Sequence, residues 1–174
     1  MPLDRGARYE DPLLQALEEE GYGTVDGAGT MTTREGEIEY CGLDIELSNM
    51  VQGVPFICDF LTKRGAAKGS TLEIREGASV STFAFGSAEG IGIYFDGVNL
   101  PDEVYRDCDI NVVLAEFARL LGQEGEIRGH WQGPTETALY IYGRSAQTMR
   151  SLLAGYLNTY PLCKGARVVD ITPQ

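Results

Sequence analysis

The chain has 174 residues, 43% of them hydrophobic, which suits one domain or two small fused ones, able to bury a core without staples, and excludes disorder as the default. Its 26 acidic against 14 basic residues give a net charge of -12, a negative field that argues against nucleic acid and anionic lipid as partners. The longest apolar runs, such as Ala138-Leu139-Tyr140-Ile141-Tyr142, fall far short of the roughly 18 residues of a membrane span, and the opening Met-Pro-Leu-Asp-Arg lacks a secretory apolar core, so a cytoplasmic location is expected.

Residues 1–10 show no periodicity and read as a loose tail. Asp11 then offers an N-cap with Pro12 at the first helical position. Leu13, Leu14 and Leu17 make an apolar stripe that ends in Glu18-Glu19-Glu20-Gly21, which predicts a short amphipathic helix. Two extended segments follow, 23–33 and 37–47, around the turn Arg34-Glu35-Gly36. In the second, Ile38 and Tyr40 alternate with Glu37 and Glu39, whereas beyond Gly42 the apolar phase moves to Leu43, Ile45 and Leu47 against Asp44 and Glu46. A strand cannot change phase without turning its apolar side outward, so a β-bulge is expected at Cys41-Gly42, with the carboxylates on the outer face.

Residues 53–64 predict a helix with Phe56, Ile57, Phe60 and Leu61 inward, closed by Gly65, and 71–75 a strand. Val80–Phe85 and Ile91–Asp96 read as a hairpin, and 98–107 as a loop. Asp109 caps a helix to Leu121 carrying Val113, Leu114, Phe117, Leu120 and Leu121 inward. Strands at 126–131 and 137–142 flank the turn Gln132-Gly133-Pro134-Thr135. Ser145 caps a helix to about Tyr160 with Met149, Leu152, Leu153, Tyr156 and Leu157 inward, and 166–172 is the last strand.

With an offset of 96, Leu43–Gly69 falls on Leu139–Gly165 without a gap, matching Leu43/Leu139, Ile45/Ile141, Leu61/Leu157, Lys68/Lys164 and Gly69/Gly165. The element order α-β-β-α-β thus occurs twice. The expected fold is α+β: two tandem ferredoxin-like halves, with largely antiparallel sheets and helices on one face of each. After the tail, the halves span 11–78 and 79–174. The first half lacks the leading strand that Ile91–Asp96 gives the second, and Val80–Phe85 is a candidate to fill its place.

Cys41, Cys58, Cys108 and Cys163 form no C-x-x-C pair, which predicts reduced, buried side chains rather than a zinc site, and neither metal nor cofactor is expected. The glycines of Gly21-Tyr-Gly-Thr-Val-Asp-Gly-Ala-Gly29 precede a strand, the reverse of a phosphate loop, and point to close backbone packing. Ala67-Lys68-Gly69-Ser70 follows a helix instead of opening one, so a helix-to-strand turn with a left-handed glycine explains it better than a Walker motif. His130 is the single histidine and the obvious general base, but no nucleophile or second ligand accompanies it. Trp131 beside it, with Arg128 near in the hairpin, is the better candidate for a binding anchor. Glu37, Glu39, Asp44 and Glu46 form an acidic strand without calcium-loop spacing, suited to docking a basic protein.

Gly27-Ala-Gly-Thr, Gly36-Glu-Ile-Glu-Tyr-Cys-Gly-Leu-Asp-Ile-Glu-Leu, the helix after them and Ala67-Lys-Gly-Ser together resemble small bacterial proteins of ferredoxin-like build over residues 13–75. Some small acidic proteins of that kind act as immunity proteins to secreted toxins. That resemblance implies a fold and a class, and no functional residue. The expected function is a non-enzymatic acidic module of immunity or inhibitor type that occludes a basic protein, for instance a toxin, through Glu37, Glu39, Asp44, Glu46, Arg128, His130 and Trp131. The alternatives are a small-ligand sensor with its site near 23–29 and Trp131, between the two halves, and a hydrolase-type enzyme using His130.

Overall fold

The computed structural model describes residues 5–173. It is α+β with antiparallel sheets, and the described residues divide into two compact units: 5–34 with 38–88, and 89–173 with the turn Glu35–Glu37. No helix is long and apolar enough to cross a membrane among the described residues.

In the first unit a turn of π-helix at Gly6–Glu10 leads into α1 (Asp11–Glu20). The expected tail is therefore helical from residue 5 onward, and its first four residues lie outside the described ones. Tyr9 explains the difference: its ring packs on the unit's core and its hydroxyl donates to the Gly65 carbonyl at 3.2 Å, an anchor that periodicity does not reveal. Leu13 and Leu17 are fully buried, and Gly21 at φ 70° ends the helix.

β1 (Gly23–Thr32) and β2 (Ile38–Leu47) pair antiparallel, and the phase conflict in β2 is resolved differently from the expected bulge at Cys41-Gly42. Cys41 and Gly42 pair regularly with Thr30 and Gly29, while the register shifts fall between Val25 and Gly27 and between Met31 and Thr32. The extra residues are thus Asp26 on β1 and Glu39 on β2. Leu43, Ile45 and Leu47 pack on the core, and Tyr40 turns outward instead, 59% exposed.

α2 (Met50–Lys63) is capped by Asn49, whose side chain accepts from Gln52 N, three residues before the predicted start. Pro55 stands in its second turn, where its missing N–H forgoes a bond to the carbonyl of Val51, a residue 86% exposed. β3 (Ser70–Glu76) and β4 (Ser79–Phe85) form a second two-stranded sheet around Gly77. This replaces the expected pairing of Val80–Phe85 with Ile91–Asp96. Leu13, Leu17, Ile57, Leu61 and Ala66 make the core, with Leu72 and Phe85 packed on it.

In the second unit β5 (Glu89–Asp96) is central, and β6 (Gly125–Gln132), β7 (Glu136–Gly143) and β8 (Arg167–Asp170) complete a sheet of order β6-β7-β5-β8, every pair antiparallel. α4 (Ile110–Leu121) and α5 (Ala146–Thr159) cover one face through Ile91, Ile93, Phe95, Val113, Phe117, Leu139, Ile141, Met149 and Leu153. Asp109 and Ser145 cap them as expected, accepting from Asn111 N and Thr148 N. The predicted loop at 98–107 contains a short helix, α3 (Asp102–Asp107), and Leu152, placed inward by the periodicity, is 36% exposed. Among the cysteines only Cys163 is buried, whereas Cys41 is exposed and Cys58 and Cys108 are intermediate.

Candidate functional site

Strand alternation gives the sheet of the second unit two chemically distinct faces. Ile91, Ile93 and Phe95 of β5 point to the helices, so Gly90, Gly92 and Tyr94 lie on the other face. On β7 the inward Leu139 and Ile141 leave Tyr140 and Tyr142 on that same outer face. Directly opposed residues share a face, so Trp131, paired with Ala138, joins them and His130, paired with Leu139, does not.

The outer face is an aromatic floor. The Tyr94 ring meets Trp131 and Tyr140 edge-on, each at 6.5 Å between centroids. Arg167 lies over the Tyr94 ring at 4.6 Å and Arg128 over Tyr142 at 5.3 Å. Each guanidinium also meets a carboxylate: Arg167 grips both oxygens of Glu136 at 3.0 and 2.9 Å, and Arg128 bonds Glu126 at 3.2 Å.

Three donors on this floor converge on the turn Glu35–Glu37. The hydroxyls of Tyr94 and Tyr140 each donate to Glu37 Oε1 at 2.6 Å, and Trp131 Nε1 donates to the Glu35 carbonyl at 3.0 Å. The hydroxyl distances are those of an O–H bond to an ionised acceptor. Burial, and then the bond to Glu37, push the Tyr94 hydroxyl up to about 12 and raise Tyr140 as well.

Of the residues expected to act together, the structure separates Glu37 from the other three carboxylates. Its carboxylate belongs to the tyrosine pair, while Glu39, Asp44 and Glu46 are exposed along β2. Asp44 and Glu46 share the outer face of β2 with Tyr40, and Met31, paired with Tyr40, is 48% exposed. Trp131 is half-buried and engaged with Glu35, and His130 is exposed on the opposite face of β6. The glycine segment is accounted for by close packing: a Cβ on Gly23 would overlap the Glu46 carbonyl oxygen, and one on Gly27 would press on the Asp44 carboxylate.

Tyr94, Tyr140 and Arg167 were not among the candidates that sequence reasoning singled out. The signal was present for the first two, because placing Leu139 and Ile141 inward puts Tyr140 on the outer face, where a solvated strand would carry polar residues. Arg167 over Tyr94 is set by the β5–β8 pairing, which brings together positions 73 residues apart. Among the described residues no group of three or more His, Cys, Asp or Glu side chains is arranged to hold a metal ion. Comparison with family models, with curated proteins and with solved structures gave no match, and the functional reading therefore rests on the chain's own geometry.

Proposed function

We propose that the chain is a non-enzymatic binding module of immunity or inhibitor type, which takes a basic protein on the outer face of the β1–β2 hairpin. The observation that carries this is one patch: Met31 and Tyr40, paired across the hairpin and about half exposed at 48% and 59%, with the exposed carboxylates of Glu39, Asp44 and Glu46 on the same strand as Tyr40. An exposed aromatic among carboxylates fits a partner that offers an apolar pocket rimmed by lysine and arginine. The net charge of -12 would speed encounter with such a surface, and occlusion would follow from docking.

This reading shifts the anchor from Trp131 to Tyr40, since the indole N–H is already bonded to Glu35. Selection from a random peptide library tests it. The wild-type chain should enrich peptides combining Lys or Arg with an aromatic or aliphatic residue. Tyr40→Ala combined with Asp44→Lys and Glu46→Lys should abolish the enrichment. Equal enrichment on that variant would refute the surface.

A ferredoxin-like build of both halves accompanies the proposal. What supports it in the second unit is the order β-α-β-β-α-β with the sheet arranged β6-β7-β5-β8. In the first, α2 at Met50–Lys63 falls residue for residue on α5 at Ala146–Thr159 under the offset of 96, and Gly69 and Gly165 share positive φ of 87° and 78°. β4 pairs with β3 as β5 pairs with β8, so a trailing strand would stand in for the missing leading one.

A further inference from the structure

The tyrosine floor is a fully formed acceptor site for an acidic turn. Three donors from three different strands, Tyr94 of β5, Tyr140 of β7 and Trp131 of β6, converge on one carboxylate and one carbonyl two residues apart. Such a set reads a side-chain carboxylate and a backbone carbonyl at once, which is how a peptide turn differs from a free anion. The Glu37 carboxylate is held by the two phenol hydroxyls and the Glu35 carbonyl by the indole, while Arg167, the cation over the Tyr94 ring, makes its own two bonds to Glu136. Neutral donors fixed in a sheet lose little freedom on binding and give direction as well as attraction.

We propose that the outer face of the β6-β7-β5-β8 sheet is a receptor for acidic peptides of the pattern Glu-Gly-Glu, masked in cis by the chain's own Glu35-Gly36-Glu37. Gly36, at φ 82°, supplies the left-handed turn that presents the Glu35 carbonyl and the Glu37 carboxylate to the same floor, so the ligand needs glycine at that place. A tethered turn competes at an effective concentration on the order of millimolar, so an external peptide gains access only when the internal one is weakened or displaced. The patch proposed above on β1–β2 plays no part in this site.

The probe is a labelled, end-blocked peptide carrying residues 34–39, Arg-Glu-Gly-Glu-Ile-Glu, titrated into the full chain by fluorescence anisotropy, with Trp131 emission as a second readout. Glu37→Ala should bind it at least about tenfold more tightly than wild type, because the internal competitor is gone. Adding Tyr94→Phe and Tyr140→Phe to that variant should reverse the gain, as should a peptide whose Gly is replaced by Val. Should Glu37→Ala lose its circular-dichroism signal, Glu37→Gln, which keeps the shape without the charge, takes its place. Equal affinity for wild type and the folded Glu37 variant, or a gain that survives loss of both hydroxyls, would overturn the proposal.

Discussion

At the scale of single residues, the hydroxyls of Tyr94, Tyr140 and Tyr156 set a pH dependence. Burial is the largest cause in each; it acts with Glu37 on the first two, and Tyr156 has a buried hydroxyl with no hydrogen-bond partner among the described residues. Tyr94 and Tyr156 are both pushed up to about 12, above the ordinary value of 10.0. A group that holds its proton more tightly when folded stabilises the fold below its unfolded value and withdraws that stability as pH rises through the folded one. Stability should therefore fall between about pH 10 and pH 12. Spectroscopic titration of the tyrosines should show these three still protonated at pH 11 in the folded chain. A single transition of all nine tyrosines near 10 would contradict the buried clamp. Losing one donor of the pair, as in Tyr94→Phe, should cost about 1 kcal/mol in denaturant unfolding, since the Glu37 carboxylate keeps its bond to Tyr140.

At the scale of elements, two glycines that look alike in the sequence have opposite roles. Gly155 lies exposed within α5 with nothing near the position of an added Cβ, so Gly155→Ala should stabilise the chain by about 0.5 to 1 kcal/mol through helix propensity. Gly86 sits at φ 83° with a Cβ position overlapping the Ala67 carbonyl, so Gly86→Ala should cost on the order of 2 kcal/mol or more. Thermal melts of the two variants should move in opposite directions.

The same contrast explains how much of the fold could be read from the sequence. Helices capped by Asp109 and Ser145 and striped by Val113, Phe117, Met149 and Leu153 were legible, because cap and period are local. The partner of β4 was not, since Val80–Phe85 carries no mark that prefers Ser70–Glu76 over Ile91–Asp96. The turn at Gly77, shorter than the segment before β5, favours the nearer strand. Within the candidate site, Glu37 and Trp131 were legible as residues but their partners were not, because Trp131 meets Glu35 across 96 positions and Glu37 meets Tyr94 and Tyr140 across 57 and 103.

At the scale of the whole molecule, each unit is built around its own core: one on Leu13, Leu17, Ile57 and Leu61, the other on Phe117, Ile91, Ile93 and Leu153. Removing a fully buried side chain from either leaves a cavity costing roughly 2 to 5 kcal/mol. Leu17→Ala should accelerate amide exchange in α1, α2 and β1 to β4, and Phe117→Ala in α4, α5 and β5 to β8, as measured by mass spectrometry. Uniform acceleration along the chain by both variants would mean that a single cooperative core exists instead.

The two bulges of the β1–β2 hairpin have a consequence for how its length can change. Asp26 is extra on one strand and Glu39 on the other, so the pairs Val25↔Ile45 and Thr32↔Ile38 keep one common register while those between them run one step out. Both extra residues are themselves unpaired, so loss of either one removes its own bulge and leaves every remaining residue opposite the partner it already has. Deletion of Asp26 or of Glu39 should thus be tolerated singly as well as together, and each strand can shed its extra residue without the other answering.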